Sequence, residues 1–299
     1  MKTKQFLNAA LALGVALVTP FIARADTIYV SNYGSGTIAK FTQDGTGSLF
    51  ATSGLSGPTG VALDSAGNLY VANELSNSIV KFTPGGVGSV FASTGLNSPY
   101  GLAIDSAGNL YAANLGNSTI EKFTPDGTAS VFASTGLSVP VGLAFDHAGN
   151  LYAANLGSNT IEKFTPGGVG SVFASSVGPL GLAIDGADNV FVSHNGDSTI
   201  EKFTPAGVGS LFASLPLSGP YGLAFDSAGL LYVANNRNNT LVDFTPEGAA
   251  TFFGDAGGGL NGPTFIATKP PAIVAPEPAT TGLLAAGSFL LAARRRRKA

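Results

Sequence analysis

A unit reading PxGLAxDxxGNLYVAN, then TIEKFTPxGxxSVFAS, recurs about every 41 residues through most of this chain. Counted from each Pro, complete copies occupy 58–98, 99–139, 140–178, 179–219 and 220–262. A partial copy at 26–57 starts midway through the unit, and its missing opening reappears at 263–268 as Pro-Thr-Phe-Ile-Ala-Thr. Such a permutation allows a circle of repeats to be closed by pairing the two ends. A period of this length with several short strands per unit is the signature of a propeller.

Each unit is predicted to form four strands, in the second complete copy at 101–105, 109–114, 119–123 and 130–133. Asp-Ser-Ala-Gly-Asn between the first two is a hairpin connection, and Thr-Pro-x-Gly is a turn with Pro at its first corner. Both strand faces are apolar, as blades packed face to face require. The expected fold is an all-β, six-bladed propeller over 26–268: five complete blades, and a composite blade closed by pairing the N- and C-terminal repeat fragments. An open solenoid leaves the split terminal unit unexplained.

Charged residues make up only 11% of the chain, and there is no Cys, hence neither a disulfide framework nor a thiolate metal site. Between Asp26 and Glu277 lie 7 basic and 18 acidic residues, a balance of −11. That acidic body argues against a nucleic-acid partner. The ends differ in kind. Residues 1–25 read as a signal peptide: Lys2 and Lys4, an apolar run, then Ala23-Arg24-Ala25. After a Pro-rich linker at 269–275 comes Pro276-Glu277-Pro278, a short apolar stretch, then Arg294, Arg295, Arg296, Arg297 and Lys298. The apolar stretch is a marginal membrane span whose trailing charge places it tail-inside.

This tripartite order over 276–299 resembles the PEP-CTERM sorting signal. The resemblance implies processing by an exosortase-type protease, a transient C-terminal transmembrane anchor, and delivery to the cell surface or an extracellular polysaccharide matrix. The repeats resemble NHL repeats, through Pro-x-Gly-Leu-Ala-x-Asp followed by Gly-Asn-Leu-Tyr-Val-Ala-Asn. That implies a six-bladed propeller used mostly for binding. NHL units usually carry Asp where Asn32, Asn73, Asn114, Asn155 and Asn235 stand here.

Positions that break the repeat are the place to look for chemistry. Asp64, Asp105, Asp146, Asp185 and Asp226 recur in every complete copy and read as turn builders, and the Asn series reads the same way. His194 occupies the Asn slot in one copy, close to Asp197; it is a candidate base or metal ligand, or a tolerated polar substitution that His194→Asn would leave unharmed. His147 falls in a hairpin turn and is expected to be solvated. Streptogramin-lyase-like propellers use a His and acidic groups with magnesium, so His194 and Asp197 are the only matching constellation. Gluconolactonase-like propellers bind a divalent metal partly through an Asn at an inner-strand entrance. The corresponding residues here are Thr59, Tyr100, Val141, Leu180, Tyr221 and Thr264, none of them Asn. Tyr100 and Tyr221 in that ring offer flat apolar faces for sugar rings, although they also suit a simple plug.

The sequence therefore favours a non-enzymatic binding or structural module with no required cofactor. Its expected partners are an exopolysaccharide or another surface protein. The alternative is a lactonase or streptogramin-lyase-like enzyme dependent on calcium or magnesium.

Overall fold

A computed structural model describes residues 27–269. The segments expected to be a signal peptide, a Pro-rich linker and a sorting signal lie outside the described residues, except for Lys269, which ends the last strand. Among the described residues no helix is long and apolar enough to cross a membrane. The described residues form six antiparallel sheets of four strands each.

Blade two shows how the repeat works. Its strands are Pro58–Leu63, Leu69–Asn73, Ser78–Phe82 and Gly88–Ala92, running from the channel outward. Alternation along the second strand feeds two cores at once. Leu69 and Val71 pack with Tyr29, Ile38 and Phe82 on one side, whereas Tyr70 and Ala72 pack with Leu102, Leu110 and Phe123 on the other. Every residue of that strand is therefore buried, and the hydrophobic core lies between blades. The outer strand is mostly exposed, yet its Phe91 sits edge-on to Tyr70 at 4.9 Å and to Phe123 of the next blade at 6.1 Å. Such aromatic pairs add about 0.5–1.5 kcal/mol each beyond their buried area.

The inner strands are Pro58–Leu63, Pro99–Ile104, Pro140–Phe145, Pro179–Ile184 and Pro220–Phe225, which begin blades two to six in turn, and Pro263–Lys269. They begin at the Pro, two residues earlier than the predicted 101 in blade three. Proline is tolerated there because it occupies the first position of an edge strand facing the channel. The ring is sealed as its permuted ends require: Pro263–Lys269 pairs antiparallel with Thr27–Asn32, aligning Thr27 with Lys269 and Asn32 with Pro263. Closure pairs the terminal strand and leaves each blade only short edges, one on the channel and one outside. Consecutive inner strands also approach so closely that a Cβ on Gly142 would land on the Leu180 carbonyl oxygen, and one on Gly60 on that of Tyr100. Phe265 occupies the corresponding position in the composite blade, here called blade one.

Candidate functional site: the channel mouth

The recurrent polar residues prove to be internal braces. In blade three, Asp105 Oδ1 accepts the backbone N–H groups of Ala107 and Asn109; Oδ2 accepts the Asn109 amide and the Tyr111 hydroxyl. Lys122 lies 3.9 Å from the same carboxylate and above the Tyr111 ring. Burial pushes the Asp105 carboxyl up, but the Asn109 and Tyr111 donors outweigh it and hold the group below its ordinary value. The Asn series ties the connectors between blades: Asn114 accepts the Asn97 N–H and donates to the Gly95 carbonyl. Asn73, Asn155 and Asn235 do the same one blade at a time.

His194 belongs to this bracing system. It is 6% exposed, and its Nδ1 donates to the Val177 carbonyl at 2.8 Å. That leaves Nε2 facing Ser176 Oγ at 3.4 Å and Glu201 Oε2 at 3.5 Å. The connector it spans belongs to the one complete copy shortened by two residues, 140–178. An imidazole thus stands where the loop to be tied is shorter and shifted. Asp197 shares a groove of about 340 Å³ with His194 and Glu201, but its Oδ1 accepts from Thr199 Oγ1 and it makes no ion pair with His194. Blade two has a corresponding groove, lined by Asn73, Ser78 and Val80, without an ionisable side chain. His147 is exposed, as expected, and its Nδ1 also meets Asp188 Oδ1 at 2.7 Å, linking the turns of blades four and five. Hydrogen bonding to Asp188, reinforced by its charge, raises the imidazole pKa.

Tyr100 and Tyr221 tell a different story. Their inner strands stand opposite each other, three blades apart in the ring. Even so the two side chains are electrostatic neighbours, so they approach each other across the channel. Phe265, from blade one, sets its ring edge-on to Tyr100 at 5.7 Å. Burial, then the neighbouring Tyr221, Glu74 and Tyr33, hold the Tyr100 hydroxyl far above the ordinary phenol range. Burial, then the nearby Glu74 charge, also raises the Tyr33 hydroxyl. Tyr33 remains 40% exposed. The mouth is therefore an aromatic platform with one carboxylate at its rim. Sequence reasoning singled out Tyr100 and Tyr221 but not Tyr33, Glu74 and Phe265, which stand near Tyr100. The available signal was departure from the repeat: Tyr33 and Glu74 follow the Asn positions where Leu or Asn stands in other blades, and Phe265 replaces Gly.

Both enzyme classes considered from sequence use a divalent ion. Among the described residues, no three His, Cys, Asp or Glu side chains converge as metal ligands. The mouth offers one carboxylate with phenols, and the His194 groove offers an imidazole already committed to a carbonyl. These donors do not form the ligand set of a catalytic metal.

Solved structures share the propeller. A chain of a nidogen/laminin complex superposes with a TM-score of 0.73 at 20% identity, covering 81% of this chain and 97% of that one. Virginiamycin B lyase from Staphylococcus aureus gives 0.56 at 19% identity, over 66% and 69%. A gluconolactonase from Xanthomonas campestris gives 0.61 at 19% identity, over 70% and 78%. At such identities the likeness is one of fold. No curated protein matches the sequence. The model of one family does match, over residues 10–244, which is most of the chain: this propeller belongs to the virginiamycin B lyase family.

Proposed function

We propose that the protein is an exported propeller that binds an extracellular ligand at the channel mouth, with matrix polysaccharide as the ligand class. The observation that carries this reading is the approach of Tyr100 and Tyr221 across the channel, with Glu74 and an exposed Tyr33 nearby. Aromatic faces with a hydrogen-bonding rim suit sugar rings, which present apolar C–H faces and polar edges. Tyr100 acts as the floor, while Tyr33 and Tyr221 supply the contact surface. The PEP-CTERM-like tail, with Pro276, Glu277, Pro278 and Arg294 to Arg297, supports export, exosortase-type processing and retention near the cell surface or matrix.

A second reading has a specific support: family membership and the likeness to a lyase and a gluconolactonase favour an enzyme of lyase or lactonase type. In this chain it would draw on His194, Glu201 and Asp197 in their shared groove. Affinity electrophoresis of the purified protein through gels containing matrix polysaccharide, beside a lactone and streptogramin turnover screen, separates the two. Retardation lost in Tyr221→Ala and Tyr33→Ala but kept in His194→Asn supports the binding module. Turnover lost in His194→Asn overturns it in favour of the enzyme.

A further inference from the structure

One position in blade five differs from all its sister blades by a single oxygen atom. The other second strands carry Tyr29, Tyr70, Tyr111, Tyr152 and Tyr232 there, and blade five has Phe191. In blades two, three and four the tyrosine hydroxyl donates to Oδ2 of the turn aspartate at 3.2–3.4 Å, and a lysine ammonium stands 3.2–3.9 Å from that oxygen. Blade five keeps the frame. Asp185 Oδ2 accepts the Asn189 amide at 2.8 Å, and Lys202 Nζ stands 3.8 Å from it and 5.0 Å over the Phe191 ring. Phe191 pairs with Lys202 in the register that Tyr111 keeps with Lys122. A carboxylate and an ammonium are thus set at the spacing that flanks a hydroxyl elsewhere, and Phe191 supplies none.

Asp185, Phe191 and Lys202 line a cavity of about 340 Å³ between blades five and six. Small-molecule sites occupy about 300–1,000 Å³. Phe212 and Phe225, both half-buried, line it too, with their rings edge-on to Phe191 at 4.9 and 5.1 Å. Ala187 and Ser227 on its lining are exposed, so it opens to solvent. Asp226 adds a second carboxylate against the single ammonium, which disfavours an acidic ligand. The interface of blades three and four holds the same aromatic trio, with Tyr111 5.0 Å from both Phe132 and Phe145, but there the hydroxyl is built in.

We propose that this cavity binds a small neutral phenol, whose hydroxyl stands where the sister blades place that of tyrosine. The hydroxyl donates to Asp185 Oδ2 beside Lys202, and the ring packs on Phe212 and Phe225 in the edge-on or offset geometry that aromatic pairs favour. The site lies at the far end of the inner strand Pro220–Phe225 from Tyr221, apart from the channel mouth, and does not rest on ligand binding there.

Isothermal titration calorimetry of the full chain with phenol, and with benzene as the same ring without a hydroxyl, tests it. One phenol per chain should bind saturably. Benzene should bind at least about tenfold more weakly, the usual worth of a hydrogen bond to a charged group. Phe191→Tyr supplies the hydroxyl from within, as Tyr152 does one blade earlier, and should abolish phenol binding. Phe225→Leu introduces the residue that blade two carries as Leu63 and removes one aromatic wall. It should weaken phenol about two- to tenfold, a second test if Phe191→Tyr fails to fold. A wild type that binds no phenol would overturn the proposal, and so would equal affinity for benzene. Phenol binding undiminished in Phe191→Tyr or in Phe225→Leu would also overturn it, as when phenol stacks at the channel mouth instead.

Discussion

Replacing Gly142 by Ala adds one methyl group, yet the ring gives it nowhere to go. The new Cβ would fall on the Leu180 carbonyl oxygen, with Leu182 N at 3.0 Å and the Gly181 carbonyl carbon at 3.2 Å. Comfortable heavy-atom contacts lie near about 3.5–4.0 Å. All three obstacles are backbone of the next inner strand, so no side-chain rotation relieves them; two blades must separate. Overpacking costs about 1–3 kcal/mol when side chains can adjust, and backbone obstruction puts this case at about 3 kcal/mol. For a domain of this size that lowers Tm by about 6–12 °C. Gly167→Ala is the matched control, because its nearest neighbour is Thr165 Oγ1 at 3.9 Å and its turn faces solvent. It should be neutral or stabilise by up to about 1 kcal/mol through the unfolded chain. Differential scanning calorimetry of both variants decides the matter. Equal melting of Gly142→Ala and Gly167→Ala would refute the claim that inner-strand glycine is set by ring closure.

Two further outcomes follow from the braces. His194→Asn, which sequence alone marks as harmless, should cost about 1 kcal/mol and lower Tm by about 2–4 °C. The shorter amide has to span a connector built around the imidazole bond to Val177, and wild-type melting would show the ring to be a passive occupant. Glu162 is 5% exposed, and burial holds its carboxyl above the ordinary glutamate value. A raised folded-state pKa contributes stability below the unfolded value, which is lost as pH rises through the folded one. Glu162→Gln should therefore be more stable than wild type at neutral pH by less than about 1 kcal/mol, with the gap closing toward pH 4. A gap that widens on acidification would reverse that sign.

Much of this architecture was legible in one dimension. Periodicity placed the strands, and the copy split between the termini specified closure before any contact was visible. Recurrence identified Asp105 and Asn114 as braces, because partners four or seventeen residues away repeat along with them. Contacts of that kind depend on strand register inside one blade, or on the adjoining connector, and the repeat encodes both. The channel mouth is different. Tyr100 and Tyr221 are 121 residues apart and approach each other only because six blades bring their strands to opposite sides of a narrow ring. Glu74, Tyr33 and Phe265 join them for the same reason. The role of His194 likewise emerged from the path of a connector two residues shorter than its sisters. Sequence alone determined the blade and the ring; tertiary structure decided which side chains cross the ring, because that depends on blade number and channel radius, properties no single repeat contains.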